Sequence, residues 1–211
     1  MQVRFRLDAE LRFSAPFSQE AEESCRALID EANRVLFMKG VPKGVDRSEV
    51  GQITRSEFSG NTLTLTVESG AYTRAHDALF RFRKQVAPSL GKHRLGIREI
   101  VVTDYLIELE GAFPENFRTP ELPFIKKAVL SGRVLSVDLA VSASDLENRI
   151  PDRLVRLFEE KIEAAEYGGK GEHWELIYES GAKARHFEGD PTAEMIQRGW
   201  IKHALSRGQW I

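Results

Sequence analysis

Ser69-Gly70-Ala71-Tyr72-Thr73-Arg74-Ala75-His76-Asp77-Ala78-Leu79-Phe80-Arg81-Phe82-Arg83-Lys84-Gln85, running on to Gly96-Ile97-Arg98, is the stretch whose reading decides the rest of the chain. Ala75, Ala78, Leu79, Phe82 and Val86 recur at helical spacing and form one apolar stripe. At about 100° per residue, Arg74, Arg81 and Lys84 gather on one flank of that stripe, with Arg83 and His76 on the other. Pro88 and Gly91 are expected to stop the helix, and Arg94 and Arg98 follow at the start of an extended run. Seven Lys or Arg lie between Tyr72 and Arg98, against Asp77 as the single acid, in a chain whose formal net charge is −2. A positive patch on a mildly acidic protein suits a phosphate backbone, although charge pattern alone fits a solvated helix face as well.

Outward from this helix, the period changes to two. Val3, Phe5, Leu7, Ala9, Leu11 and Phe13 alternate with polar residues, as a half-buried strand requires. Ser18 can cap a helix over Gln19 to Met38, with acids in its first turn and Gly40 just past its end. After a polar loop around Val41-Pro42-Lys43-Gly44, strands are expected near Gln52 to Phe58 and over Thr62 to Val67. The turn Ser59-Gly60-Asn61 joins them. Beyond the basic helix come a long strand near Arg94 to Glu110, read as bulged at Thr103-Asp104, and a hairpin of Phe124 to Leu130 with Val134 to Val141. Ser144 or Asp145 opens a last helix through Glu166, which Pro151 bends or restarts. Hairpin connections dominate this order. The expected fold is therefore α+β: a mostly antiparallel six-stranded sheet with a layer of three helices, then a hinge and a short helical tail.

Composition shifts at Tyr167-Gly168-Gly169-Lys170-Gly171, which reads as a hinge separating residues 1–166 from 167–211. Asp190, Pro191 and Gly199 then frame a short helix. No apolar run reaches bilayer length and no signal-peptide pattern is present, so a cytoplasmic, membrane-free protein is expected. The one cysteine, Cys25, excludes an internal disulfide and reads as a packed thiol. The five histidines show no ligand spacing, and His76 reads as an RNA contact or a plain surface histidine. No nucleophile elbow, phosphate loop or dinucleotide fingerprint appears, so no catalytic residue and no metal site is assigned.

Ser69-Gly70, Tyr72, Arg74, His76-Asp77-Ala78, Phe80-Arg81, Arg83-Lys84-Gln85, Gly91-Lys92 and Gly96-Ile97-Arg98 together resemble the N-terminal domain of methanogenic-type (type 2) seryl-tRNA synthetases. The likeness continues in order through Asn148-Arg149-Ile150-Pro151-Asp152-Arg153, Glu159-Glu160-Lys161-Ile162, Glu172-His173-Trp174, Asp190-Pro191-Thr192 and Arg207-Gly208-Gln209-Trp210, so it covers nearly the whole chain. It implies binding of tRNA(Ser) through Arg81, Lys84 and Arg98, supported by Arg74, Arg83 and Arg94. It implies further that residues 167–211 are a linker and the start of an aminoacylation domain missing here. ATP and zinc would belong to that missing domain, so this chain is expected to carry no cofactor and to be inactive as a serine–tRNA ligase. The family enzyme is expected to be a homodimer and the isolated domain a monomer. Two other readings compete: a free-standing RNA-binding protein derived from the synthetase, and an interaction domain for an acidic protein partner.

Overall fold

Alternation of apolar and polar residues does produce the first strand, β1 (Gln2–Phe13), in which every odd-numbered residue from Val3 to Phe13 is buried. The computed structural model describes residues 2–70, 72–113, 117, 119, 122–166, 173–177, 183–188, 203–206 and 209–210, with side chains as far as 159. After β1 come α1 (Gln19–Glu31), β2 (Gln52–Ser59), β3 (Thr62–Ser69), α2 (Ala75–Gly91), β4 (Ile97–Glu110), β5 (Ile125–Ser131), β6 (Val134–Leu139), α3 (Ala143–Glu147) and α4 (Ile150–Glu166). Six strands form an antiparallel sheet in the order β2-β3-β1-β4-β6-β5, the α+β architecture expected. The expected hinge at 167–171 and the short helix framed by Asp190 and Gly199 lie outside the described residues.

The chain divides into two compact units, residues 2–108 with 141–143, and residues 109–140 with 144–211. In the first, β1 lies against β3 with Leu7 opposite Val67, Ala9 opposite Leu65 and Leu11 opposite Leu63, so the three pairs stack one apolar face. Helix α2 covers that face with Ala75, Ala78, Leu79, Phe82, Val86 and Leu90, all buried. Each large side chain so buried contributes roughly 1.5–3 kcal/mol, which makes this stripe the main reason the helix sits where it does. A Cβ placed on Gly51 would come within 2.5 Å of Ala78 Cβ, so the chain entering β2 can approach α2 only as glycine.

Ser18 caps α1 as expected, its Oγ accepting from the Ala21 N–H at 3.2 Å. Cys25 is buried on the inner face of α1, and burial pushes its thiol up to about 12. The helix does not continue to Met38. Residues Ala32–Leu36 form a π turn, with the Phe37 N–H reaching Ala32 O at 3.0 Å. The cause is tertiary. Asn33 gives its side-chain amide to the outer strand β2, donating to Ile53 O at 2.9 Å and accepting from Ile53 N–H at 2.8 Å. That exchange stands in for a neighbouring strand at Ile53, where the β2–β3 register shifts.

In the second unit, β5 and β6 pair with Lys127 opposite Asp138 and Leu130 opposite Leu135. Arg149, at φ 59, ends the first part of the last helical region, and Pro151 falls in the opening turn of α4, where its missing N–H costs nothing. Among its described residues the tail carries four strands that sequence reading did not anticipate: β7 (His173–Ile177), β8 (Lys183–Glu188), β9 (His203–Ser206) and β10 (Gln209–Trp210). They form a second antiparallel sheet in the order β10-β9-β7-β8.

Candidate nucleic-acid interface

Helix α2 presents Arg81 and Lys84 to solvent three residues apart, hence as neighbours on its surface. Pro88 does not stop the helix as expected. It removes one bond, to the Lys84 carbonyl, and it does so on the exposed side of the final turn, where water can replace the lost donor. The helix ends instead at Gly91, through a Schellman arrangement: Leu95 N–H reaches Leu90 O at 3.1 Å and Arg94 N–H reaches Gly91 O at 3.0 Å. Leu90 and Leu95 are both buried, supplying the apolar contact this motif uses. The left-handed residue it requires is Arg94, at φ 58, a position glycine ordinarily fills.

Two serines fasten this turn. Ser14 N–H donates to Gly96 O at 2.9 Å, and Ser14 Oγ accepts from Gly96 N–H at 3.0 Å. Ser24 on α1 meets His93 Nε2 at 3.2 Å. Lys92, Arg94 and, two residues past the clasped glycine, Arg98 are all exposed. The turn that folds the chain from α2 into β4 is therefore fixed at both ends while its cations face water. Ser14 and Ser24 carry no sequence signal for this role, because each acts across 69 or more residues of separation.

Charge pairing separates the two faces of the first unit. On the polar side of β1, Arg6 sits 3.1 Å from Asp8, and Arg12 sits 2.9 Å from Glu10 and 3.0 Å from Glu99. On β2, Arg55 Nε donates to Glu57 at 2.9 Å. Such exposed pairs add little stability, about 0–1 kcal/mol each, but they cancel the local field. Among the described residues, no ion pair or hydrogen bond engages the side chains of Arg81, Lys84, Lys92, Arg94 or Arg98. Unneutralised cations thus line α2, the turn after it and the start of β4. An arginine fork or a lysine ammonium held open in this way is suited to phosphate oxygens.

Two residues of the basic stretch, Arg74 and His76, stand differently from the expectation, and Arg83 has an interaction of its own. Arg74 is the residue before the helix, in extended conformation (φ −64, ψ 146), so it does not continue the flank of Arg81. Its guanidinium lies 4.8 Å from the centre of the Phe5 ring, a cation–π contact. Arg83 is exposed and is also engaged by another residue. His76 is neither an RNA contact nor a surface histidine: it is buried, its Nδ1 2.9 Å from the Tyr105 hydroxyl of β4. Helical spacing put it beyond the apolar stripe, but Tyr105 lies against that edge of α2 and supplies the partner that a buried imidazole requires. Among the described residues, no three His, Cys, Asp or Glu side chains come together to hold a metal ion.

A family model described as a tRNA-binding domain matches residues 3–160. The chain belongs to this tRNA-binding domain family. It is 42% identical over 214 residues to the type-2 serine–tRNA ligase of Methanococcoides burtonii and 40% identical over 216 residues to that of Methanothrix thermoacetophila. These alignments take in 100% and 99% of the chain, yet the chain spans 41% of the length of each ligase. Among solved structures, it is similar to the crystal structure of A. aeolicus tRNASec in complex with M. kandleri SerRS. There the TM-score is 0.67 at 27% identity, covering 100% of this chain and 41% of that one. The chain thus corresponds to the tRNA-binding domain of these ligases.

Proposed function

We propose that this tRNA-binding domain recognises tRNA(Ser) on behalf of a type-2 serine–tRNA ligase, with Arg81, Lys84 and Arg98 as its principal phosphate contacts. The observation that carries the reading is the cluster of open cations along α2 and beyond it: among the described residues none of Arg81, Lys84, Lys92, Arg94 and Arg98 is paired, whereas on the polar sheet face Arg6, Arg12 and Arg55 are held by Asp8, Glu10, Glu99 and Glu57. Arg94 and Arg83 add to the field, and Arg74 acts from its packed position before the helix. A docked surface of this kind reads the shape and phosphate path of a folded RNA, as proteins generally read duplex RNA. The relatives' ligase names support serine as the cognate amino acid. Adenylate chemistry with ATP, and any zinc, belong in this reading to a catalytic domain, and the isolated chain is a monomer that charges no tRNA.

The test is filter binding of the chain to three transcripts: a tRNA(Ser) with its long variable arm, the same tRNA with the arm shortened, and a tRNA of another specificity. Preferential binding of the first supports the reading. Equal affinity for all three would leave a tRNA-binding domain with no preference for serine-class tRNA, and pyrophosphate exchange with serine by the isolated chain would remove the need for a separate catalytic domain.

A further inference from the structure

Among the described residues, Tyr72 is one of the few large apolar side chains left open to solvent, at 45% exposure, and it is not loosely held. Its hydroxyl donates to the Gly40 carbonyl at 3.0 Å, fixing the ring against the turn that follows the π segment. The backbone around it is equally constrained. Thr73 N–H donates to Glu49 O at 3.1 Å, and a Cβ on Gly70 would meet Glu49 Cα at 2.8 Å, so this segment is pressed against Glu49. The turn itself is anchored by Arg47, whose guanidinium donates to Asn33 O and lies 3.1 Å from Met38 Sδ. Arg47 is thus committed to the fold. Lys39 and Lys43, which flank Gly40, are exposed, and among the described residues nothing pairs with either. Val35 in the same turn is 41% exposed and adds apolar surface. Asp46 accepts from the Ser48 N–H at 2.8 Å and the Ser48 hydroxyl at 2.7 Å, and among the described residues it forms no ion pair with either lysine.

A rigid, exposed aromatic face bordered by unpaired lysines has the composition of a single-stranded nucleic-acid platform, in which a base stacks and its phosphates meet the cations. We propose that Tyr72 with Lys39 and Lys43 forms a second RNA contact, stacking one unpaired base on the tyrosine ring and taking the neighbouring phosphates on the two lysines. This inference rests on the RNA reading above but uses none of the residues that reading relies on. It adds to that surface a requirement that some nucleotide be unpaired, which phosphate contacts alone do not impose.

Four versions of the full chain decide it: wild type, Tyr72→Leu, Tyr72→Phe and the double variant Lys39→Ala/Lys43→Ala. Each is titrated with a tRNA(Ser) transcript and with a perfectly paired RNA duplex. The leucine variant should bind the tRNA about 5- to 150-fold more weakly, the range for loss of one stacked base. The phenylalanine variant, which keeps the ring and loses the bond to Gly40, should stay near wild type. On the duplex all Tyr72 variants should match wild type. The double lysine variant should flatten the dependence of log K on log salt for the tRNA by roughly 1.4–1.8. Tyr72→Leu binding the tRNA as wild type does, Tyr72→Phe losing as much as Tyr72→Leu, or an equal loss on the duplex would each overturn the platform. Should Tyr72→Leu not fold, photocrosslinking of wild type to a 4-thiouridine-substituted tRNA replaces it. A crosslink at Tyr72 from an unpaired position supports the contact, and its absence overturns it. Wild type binding neither RNA would instead sink the RNA reading itself.

Discussion

Removing one docked cation should change how binding responds to salt by an amount the pairing pattern fixes in advance. Each phosphate neutralised contributes roughly 0.7–0.9 to the slope of log K against log salt. Between 50 and 200 mM salt, one lost contact therefore shrinks the ratio of wild-type to variant affinity by about 2.6- to 3.5-fold. Arg81→Ala, Lys84→Ala and Arg98→Ala should each show this change, because among the described residues none of these side chains has a partner to give up. The triple variant should show about 20- to 40-fold if the three contacts are independent. Arg12→Ala is the control: its guanidinium is held by Glu10 and Glu99, so its removal should leave the slope unchanged. Arg83→Ala, on the other flank of α2, should fall between. Filter binding of a tRNA(Ser) transcript over the salt series measures all of these. An Arg12→Ala slope change equal to that of Arg81→Ala would show a diffuse field instead of a docked face and refute the reasoning.

Other consequences concern the scaffold. Asn33→Ala should destabilise the chain by roughly 1–3 kcal/mol in urea unfolding, because both backbone groups of Ile53 lose their partner; Asn33→Asp, which can accept but not donate, should fall in between. Arg94→Gly should stabilise by roughly 0.5–1 kcal/mol, the left-handed strain outweighing the extra freedom of glycine in the unfolded chain, while lowering RNA affinity by the loss of one charge. Cys25 has its folded pKa raised from 9.0 to about 12, so its contribution is complete below pH 9 and is lost as pH rises toward 12. Over that window wild type should lose stability relative to Cys25→Ala by up to about 1.4 kcal/mol per pH unit, and equal slopes would contradict the burial.

What could be read from the sequence was whatever a local pattern encodes. Period two located β1 and β3, and the turn at Ser59-Gly60-Asn61 placed β2 beside β3; Ser18 marked the start of α1; and the helical stripe from Ala75 to Val86 gave α2 its buried face. Features set by distant partners were not legible. The π turn exists because Asn33 serves Ile53, twenty residues away, and His76 is buried because Tyr105, twenty-nine residues on, provides its hydrogen bond. Likewise the cations were visible as charges, but their pairing was not. Arg12 and Arg81 look alike in sequence, and only the strand neighbours of Arg12 show that it is already neutralised.

That distinction bears on cost as well as on field. For Arg12 to meet a phosphate it would first have to leave Glu10 and Glu99, and the approaching RNA would face both carboxylates at short range. Arg81, Lys84 and Arg98, which have no ion-pair or hydrogen-bond partner among the described residues, would exchange only water and counterions. The turn carrying Arg94 is also held before any ligand arrives, by the Schellman bonds, by Ser14 and by Ser24, so little backbone entropy remains to be lost on docking. The left-handed Arg94 fits the same account. A glycine there would relax the turn and forfeit a cation, so the residue present trades a fraction of a kcal/mol in stability, on the order of 0.5–1, for charge at a fixed place. On this account Arg94→Lys should keep both the strain and the affinity, whereas Arg94→Gly should lose both together.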